Sequence, residues 1–233
     1  MRNRTVTSDV EIGVHDGLAY ARWLPDGEPA GGIVIVHGAG SCKESHFDFG
    51  RAARGMGLAA VAFDQRGHGD STGLLDDRIV DDVGTVAGLL PPGPLAIRGS
   101  SLGGYVALLA AHQLRAAAVV AICPAGSEHL LRGLRDGRFD FGADEPKLAR
   151  FIAEHDLTST VEDLETPLLL LHAEGDEQIA VEHSAELHRA ARMPNKRFIE
   201  LPGGHHRSVQ HDAELQGESL RFVLKAFSGA RAS

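Results

Sequence analysis

The chain has 233 residues, 43% of them hydrophobic and 5% aromatic, and a formal net charge of -9. That length suits one α/β core, and the apolar content without a long apolar run suits a soluble globular protein. The acidic balance argues against nucleic acid or an anionic membrane as partner, because both require basic patches. Cys42 and Cys123 are too few for a disulfide framework, and Met1-Arg2-Asn3-Arg4-Thr5 leads into polar sequence rather than a secretory apolar core. A cytoplasmic protein with free thiols is therefore expected.

In chain order, Val10 to Val14 and Leu18 to Leu24 are predicted as short antiparallel strands, joined by His15-Asp16-Gly17, whose Asp-Gly pair favours a tight hairpin. After Gly31-Gly32, the run Ile33 to Val36 is continuous and β-branched, the pattern of a strand buried on both faces. It ends in the small-residue loop His37-Gly38-Ala39-Gly40-Ser41, and a helical segment follows around Phe47 to Arg54. A second buried strand, Leu58 to Phe63, closes with Asp64-Gln65-Arg66-Gly67-His68-Gly69. A helix from about Arg78 to Leu90 stops at Pro91-Pro92-Gly93-Pro94.

Next comes Leu95-Ala96-Ile97-Arg98-Gly99-Ser100-Ser101-Leu102-Gly103-Gly104, an apolar run that meets a glycine-bracketed serine and then an alanine- and leucine-rich segment. This is the pattern of strand, sharp turn and helix with Ser101 at the corner. A nucleophile on such a turn needs small residues two before and two after it, and Gly99 and Gly103 meet that demand. Ser100 does not qualify, since its flanks at the same spacing are Arg98 and Leu102. Gly69-Asp70-Ser71-Thr72-Gly73 has the same spacing but lacks both the preceding strand and the following helix.

A further strand is predicted over Ala116 to Ile122, and the alternation of strands and helices implies parallel strands with crossover helices. Between Pro124 and Glu165 the rhythm breaks into a more polar insertion, with a helix carrying Leu148, Phe151 and Ile152 on one face. The rhythm resumes with the strand after Pro167, a helix near Glu182 to Ala191, the strand Arg197 to Leu201 and a helix from about Ala213 to Phe227. Eight strands, mostly parallel, make one open sheet.

A serine hydroxyl needs a positioned base to take its proton, and that base needs a carboxylate to hold its tautomer. In open α/β sheets such groups gather at the carboxyl ends of strands. Two late loops sit there: His172-Ala173-Glu174-Gly175-Asp176-Glu177 and Pro202-Gly203-Gly204-His205-His206.

With these motifs in order, the chain resembles the α/β-hydrolase superfamily over essentially its whole length, in the manner of serine esterases, lipases and serine aminopeptidases. The resemblance rests on the His37-Gly38 loop, the Asp64-x-Arg66-Gly67-x-Gly69-x-Ser71 segment, the Gly99-x-Ser101-x-Gly103 elbow and the two late loops. It implies an α/β-hydrolase fold over a single domain, 1–233, with residues 124–165 as a small helical lid. It also implies Ser101 as nucleophile, Asp176 as acid and His206 as base, in the superfamily's chain order. The backbone N–H groups of Ala39 and Leu102 would form the oxyanion hole. The family's spacing of glycine and histidine gives His206 from Gly203, with His205 as the adjacent alternative. Relatives that carry their acid after an earlier strand would point instead to Glu128.

By the same resemblance His37 is a loop residue, and Asp64, Arg66 and His68 brace the loop beside the elbow, with substrate contact open for His68. The expected activity is hydrolysis of an ester-like acyl substrate through an acyl-enzyme, with no cofactor. Peptidase, thioesterase and carbon-carbon hydrolase or perhydrolase chemistry on the same residues are the alternatives, and a non-catalytic binding module is the remote one. No His-x-x-x-His or Cys-x-x-Cys cluster marks a resident metal.

Overall fold

Asp16 and Gly17 turn the chain with φ of 50° and 78°, the left-handed pair that a two-residue hairpin requires. They join β1 (Glu11–His15) to β2 (Leu18–Trp23) in antiparallel register, with His15 opposite Leu18. The computed structural model describes residues 10–230. Met1 to Thr5, expected to lead into polar sequence rather than a secretory core, lie outside the described residues, as do the remaining terminal positions.

The chain continues through β3 (Gly32–Val36), a 3-10 turn (Lys43–His46), α1 (Phe47–Gly55), β4 (Ala59–Phe63), α2 (Ile79–Ala87), β5 (Leu95–Ser100), α3 (Leu102–Gln113) and β6 (Ala118–Ile122). The expected helix to Leu90 ends early, at Gly88, and Leu89 and Leu90 close a turn onto Val86 and Ala87. Glycine and the approaching prolines account for this, because residues before proline are disfavoured in the helical region.

Three helices occupy the insertion where one was expected: α4 (Ser127–Arg135), α5 (Glu145–Glu154) and α6 (Leu157–Asp163). Asp144 and Asp156 cap the last two by accepting from the N–H groups of Lys147 and Ser159. Then follow β7 (Leu168–Ala173), α7 (Val181–Ala190), β8 (Lys196–Leu201), the short α8 (Ser208–His211) and α9 (Ala213–Ala230).

The strands form one eight-stranded sheet in the order β1-β2-β4-β3-β5-β6-β7-β8, antiparallel at β1 and β2 and parallel from β4 to β8. This is the α/β-hydrolase architecture. The alternation of β3 shows why its sequence is apolar at every position. Ile33 and Ile35 pack with Phe49, Val223 and Phe227 on one face, while Val34 and Val36 pack with Val83, Tyr105 and Leu108 on the other. α3 is buried from Leu102 to Ala111, so the helix behind Ser101 is enclosed by the core rather than laid on its surface. None of the described helices is long and apolar enough to cross a membrane.

Candidate active site

Ser101 sits between β5 and α3 with φ 55° and ψ -119°, a conformation that L residues rarely adopt. Such strain costs on the order of 1–3 kcal/mol and persists only where the surroundings enforce it. Here the enforcement is visible. The Ser101 N–H donates to the Ile122 carbonyl at 2.9 Å, and its own carbonyl accepts from Tyr105 and Ala125, both at 3.1 Å. A Cβ on Gly99 would overlap the Gly103 carbonyl, and one on Gly103 would overlap the carbonyls of Val36 and His37. The two glycines are therefore required by backbone contact, as the elbow pattern demands.

The loop after β3 lies directly against this corner. A Cβ on Gly38 would stand 3.2 Å from both the Ser100 carbonyl oxygen and Ser101 Cβ. Ala39 follows that glycine, and Leu102 opens α3, whose first N–H groups have no helical partner. Both expected oxyanion donors thus belong to segments that border Ser101. His37 holds the loop in place: its Nε2 accepts from the Gln65 N–H at 3.0 Å, and its Nδ1 donates to the Gly38 carbonyl at 2.7 Å. Burial, reinforced by the neighbouring His68, pushes its pKa down to about 4. A neutral imidazole with both nitrogens engaged is a strut, matching its expected loop role.

The Asp64 segment braces the other side. Asp64 accepts from the N–H and Nζ of the buried Lys43, at 2.7 and 2.8 Å, and from the Asp70 N–H at 2.9 Å. Arg66 pairs with Asp82 at 2.9 Å, and Ser71 Oγ donates to the Asp64 carbonyl at 2.6 Å. Ser71, the serine of the second glycine-bracketed pattern, is thereby a loop clamp. His68 stacks on Phe141 of the insertion with ring centroids 4.4 Å apart. Gly67 lets the insertion approach, since Gly142 N–H donates to its carbonyl and a Cβ there would overlap the Gly142 carbonyl.

The two late loops are zipped together by their backbones. Glu174 N–H donates to the Leu201 carbonyl at 2.9 Å and Gly175 N–H to the Gly203 carbonyl at 3.0 Å, while Gly203 and Gly204 take positive φ to turn the chain back. The result is that His206 Nδ1 lies 2.7 Å from Asp176 Oδ2. His205 instead is exposed, its N–H donating to Ser208 Oγ. Glu128 stands on α4, exposed and paired with Arg132.

Asp176 also accepts from the N–H groups of Gln178 and Ile179, at 2.8 and 2.9 Å. Burial pushes its carboxyl up, but the hydrogen bonds from His172, His206 and these two amides outweigh it and hold the pKa well below the usual carboxylate range. Among the described residues, no hydrogen bond joins the Ser101 hydroxyl to the His206 ring. The structure pairs Asp176 with His206 beyond β7 and β8 and leaves Ser101, partly exposed, at the end of β5, with β6 between.

Sequence reasoning passed over other residues at this rim. Cys123 directly follows β6 with φ 42°, and its sulfur lies within 4.8 Å of ligand atoms of Asp176 and His206. Burial first, and then the Asp176 charge, push its thiol above the ordinary range. On α4, burial first, and then the charges of Arg132 and Arg138, hold the His129 imidazole below its ordinary range. A large surface groove, lined by Arg115, Glu165, Lys196 and Arg221 among others, lies at the opposite, amino-terminal ends of the strands and plays no part in this site.

Comparison with known proteins bears on the fold and the family. Residues 27–136 match the family model described as serine aminopeptidase, S33, and residues 85–230, more than half of the chain, match that of the prolyl oligopeptidase family. A monoacylglycerol lipase of Mycolicibacterium smegmatis is 32% identical over 98 residues, which is 38% of this chain and 35% of that protein. An uncharacterised protein of Mycobacterium tuberculosis is 24% identical over 231 residues, covering 93% of this chain and 78% of that one. Among solved structures, Est1E of Butyrivibrio proteoclasticus with bound ferulic acid superposes with a TM-score of 0.69 at 18% identity, over 96% of this chain and 100% of that chain. With its sheet order, its strained serine corner and the family model spanning its larger part, the chain belongs to the α/β-hydrolase superfamily and, within it, to the prolyl oligopeptidase family.

Proposed function

We propose that this protein is a serine hydrolase that cleaves a small-molecule, ester-like acyl substrate through an acyl-enzyme formed on Ser101. The observation that carries the reading is the 2.7 Å contact of His206 Nδ1 with a buried, ionised Asp176 at the rim where the strained Ser101 stands. In this mechanism His206 Nε2 takes the Ser101 proton as Oγ attacks the carbonyl carbon. Asp176 holds the Nδ1–H tautomer and stabilises the imidazolium. The N–H groups of Ala39 and Leu102 receive the oxyanion, and losing one such donor typically costs about 2.7–4 kcal/mol of barrier. His206 then protonates the leaving alcohol and afterwards activates the water that releases the acid.

The three insertion helices act as a compact lid in this reading. Leu130, Leu148 and Ile152 pack into the core, while Leu131, Phe139, Phe141 and Phe151 remain half-buried against it. The fit is to small or medium acyl chains. An acidic chain without a membrane-spanning helix among its described residues supports a cytoplasmic setting.

Screening p-nitrophenyl esters of increasing chain length with wild type and Ser101→Ala tests the assignment. Turnover and fluorophosphonate labelling should both vanish in the variant; full turnover by Ser101→Ala would refute it. The two peptidase family matches favour a second reading, release of an amino-terminal residue from a short peptide. That activity needs an anchor for the substrate amine, for which Asp140 on the lid is exposed. Hydrolysis of aminoacyl arylamides in preference to esters would select it.

A further inference from the structure

Cys123 has no part in the proposed reaction, yet it occupies a strained position. At φ 42° its backbone lies in the region that favours glycine, and the residue is 1% exposed. The consequence is geometric. Its sulfur, an Asp176 carboxylate oxygen and a His206 ring nitrogen all lie within 4.8 Å of one another, delivered by the ends of the neighbouring strands β6, β7 and β8.

A thiolate, a carboxylate and an imidazole together suit a borderline-soft divalent cation. Zinc takes sulfur at about 2.3 Å and histidine nitrogen or carboxylate oxygen at about 2.0–2.2 Å, which sets tetrahedral ligand atoms roughly 3.3–3.6 Å apart. The Asp176–His206 contact, now 2.7 Å, has to open by less than about 1 Å, and the sulfur has to close by a similar amount. Rotamer adjustment covers such movements. Charge fits as well, since one thiolate and one carboxylate neutralise a dication, so the enclosed assembly carries no net charge into the low-dielectric interior. Magnesium and calcium, which prefer all-oxygen sets, gain little from sulfur and nitrogen donors.

His172, the other ring on Asp176, is held back: its Nδ1 is bonded to Ser184 Oγ at 2.7 Å and its Nε2 to the Ile179 carbonyl at 2.9 Å. The set is therefore three protein donors with one coordination position left for solvent. His206, 9% exposed, is the donor nearest the surface.

We propose that Cys123, Asp176 and His206 form a binding site for one zinc-class divalent cation, and that its occupancy reversibly switches the enzyme off. Binding forms metal–Sγ, metal–Nδ1 and metal–carboxylate bonds, releases the thiol proton to solvent, and moves the single ring proton of His206 from Nδ1 to Nε2, so that the imidazole stays neutral. With Nδ1 and the carboxylate both on the metal, His206 is no longer held and polarised as a base. The inhibitory half of the proposal rests on the serine hydrolase reading; the binding half does not.

The full chain, stripped of metal, is titrated with Co2+ while the near-ultraviolet thiolate-to-cobalt charge-transfer band is followed, and ester hydrolysis is measured in parallel with Zn2+ and Mg2+. The expected result is one cobalt per chain with a thiolate band, displaced by Zn2+, and inhibition by Zn2+ that EDTA reverses and Mg2+ does not reproduce. Cys123→Ser should lose the band and require roughly tenfold or more Zn2+ for half-inhibition of its own activity. His206→Gln, which keeps the thiol, should weaken cobalt binding comparably and serves if Cys123→Ser does not fold. Cobalt bound without the band, or equal zinc sensitivity in Cys123→Ser, would place the cation elsewhere, such as at His205 and His211, and overturn the proposal. A thiolate band in a protein without hydrolase activity would sink the hydrolase reading and leave the site standing.

Discussion

His172 Nε2 stands 3.2 Å from Asp176 Oδ2, the same oxygen that meets His206 Nδ1 at 2.7 Å. Because Nε2 faces a carbonyl and a carboxylate, it carries the proton, and Ser184 donates to the other nitrogen. His172 thereby fixes the carboxylate that meets His206. Replacing it with Leu should lower kcat by about tenfold to a hundredfold, the scale of a hydrogen bond to a charged group, with little change in KM. Asp176→Asn should lower kcat by about 10⁴-fold, since it reverses the preferred tautomer. Steady-state kinetics separates the two, and an unchanged kcat in His172→Leu would show that Asp176 needs no such support.

Gly99→Ala and Gly103→Ala should fail as folded proteins. Each added methyl meets backbone carbonyls rather than a movable side chain. Losses above about 4 kcal/mol follow from forced backbone displacement in a closed core. Gly40→Ala is the useful contrast: a Cβ there has nothing within 4 Å, so only its φ of 63° opposes the change. Denaturant melts should show a cooperative transition for Gly40→Ala and none for the other two.

The serine corner is also tied to the segment that follows His206. Ser100 Oγ donates to Gln210 Oε1 at 2.8 Å, and the Gln210 carbonyl accepts from Arg98 at 3.1 Å and from Gln216 at 3.0 Å. A double-mutant cycle of Ser100→Ala with Gln210→Ala should give a coupling of about 0.5–3 kcal/mol in stability. Strict additivity would mean that the link is not formed in solution.

Acid should begin to weaken the fold above the ordinary carboxylate range. His37, with a folded pKa of about 4 against 6.5 for the ordinary residue, binds fewer protons folded than unfolded between those values. Stability therefore rises with pH across this window, is complete above it and falls as pH drops toward 4. The difference from His37 alone is about 3 kcal/mol. His46, pushed down by burial and by Arg98, adds in the same direction. Urea midpoints measured from pH 7 to pH 4 should fall steadily, and His37→Gln should flatten the slope.

Much of this architecture is written locally. The runs of β3, β4, β6 and β7 are apolar at nearly every position because both faces of a parallel sheet are buried, and that pattern survives without knowledge of the neighbours. The elbow glycines are similarly legible as a five-residue pattern, although only the need for Gly99 arises within it, against the Gly103 carbonyl, while Gly103 is required by the distant carbonyls of Val36 and His37. The insertion was harder to read. α4 buries Leu130 and Leu134 between charged positions, and α5 and α6 begin at aspartate caps whose role is visible only once the helix exists. α8, at four residues, has too little length for periodicity to show.

Composition, strand rhythm and glycine spacing determined by themselves that this chain forms an α/β sheet with a serine at a strained corner, because each of these signals acts between residues close in sequence. Which histidine meets Asp176 was decided only in three dimensions, by backbone bonds between the loops after β7 and β8 and by the left-handed turn of Gly203 and Gly204 that carries His206 inward and leaves His205 in solvent. The same holds for Cys123 and Gln210. Their partners lie on other strands and helices, and register across a sheet is set by the packing of the whole core rather than by any neighbouring residue.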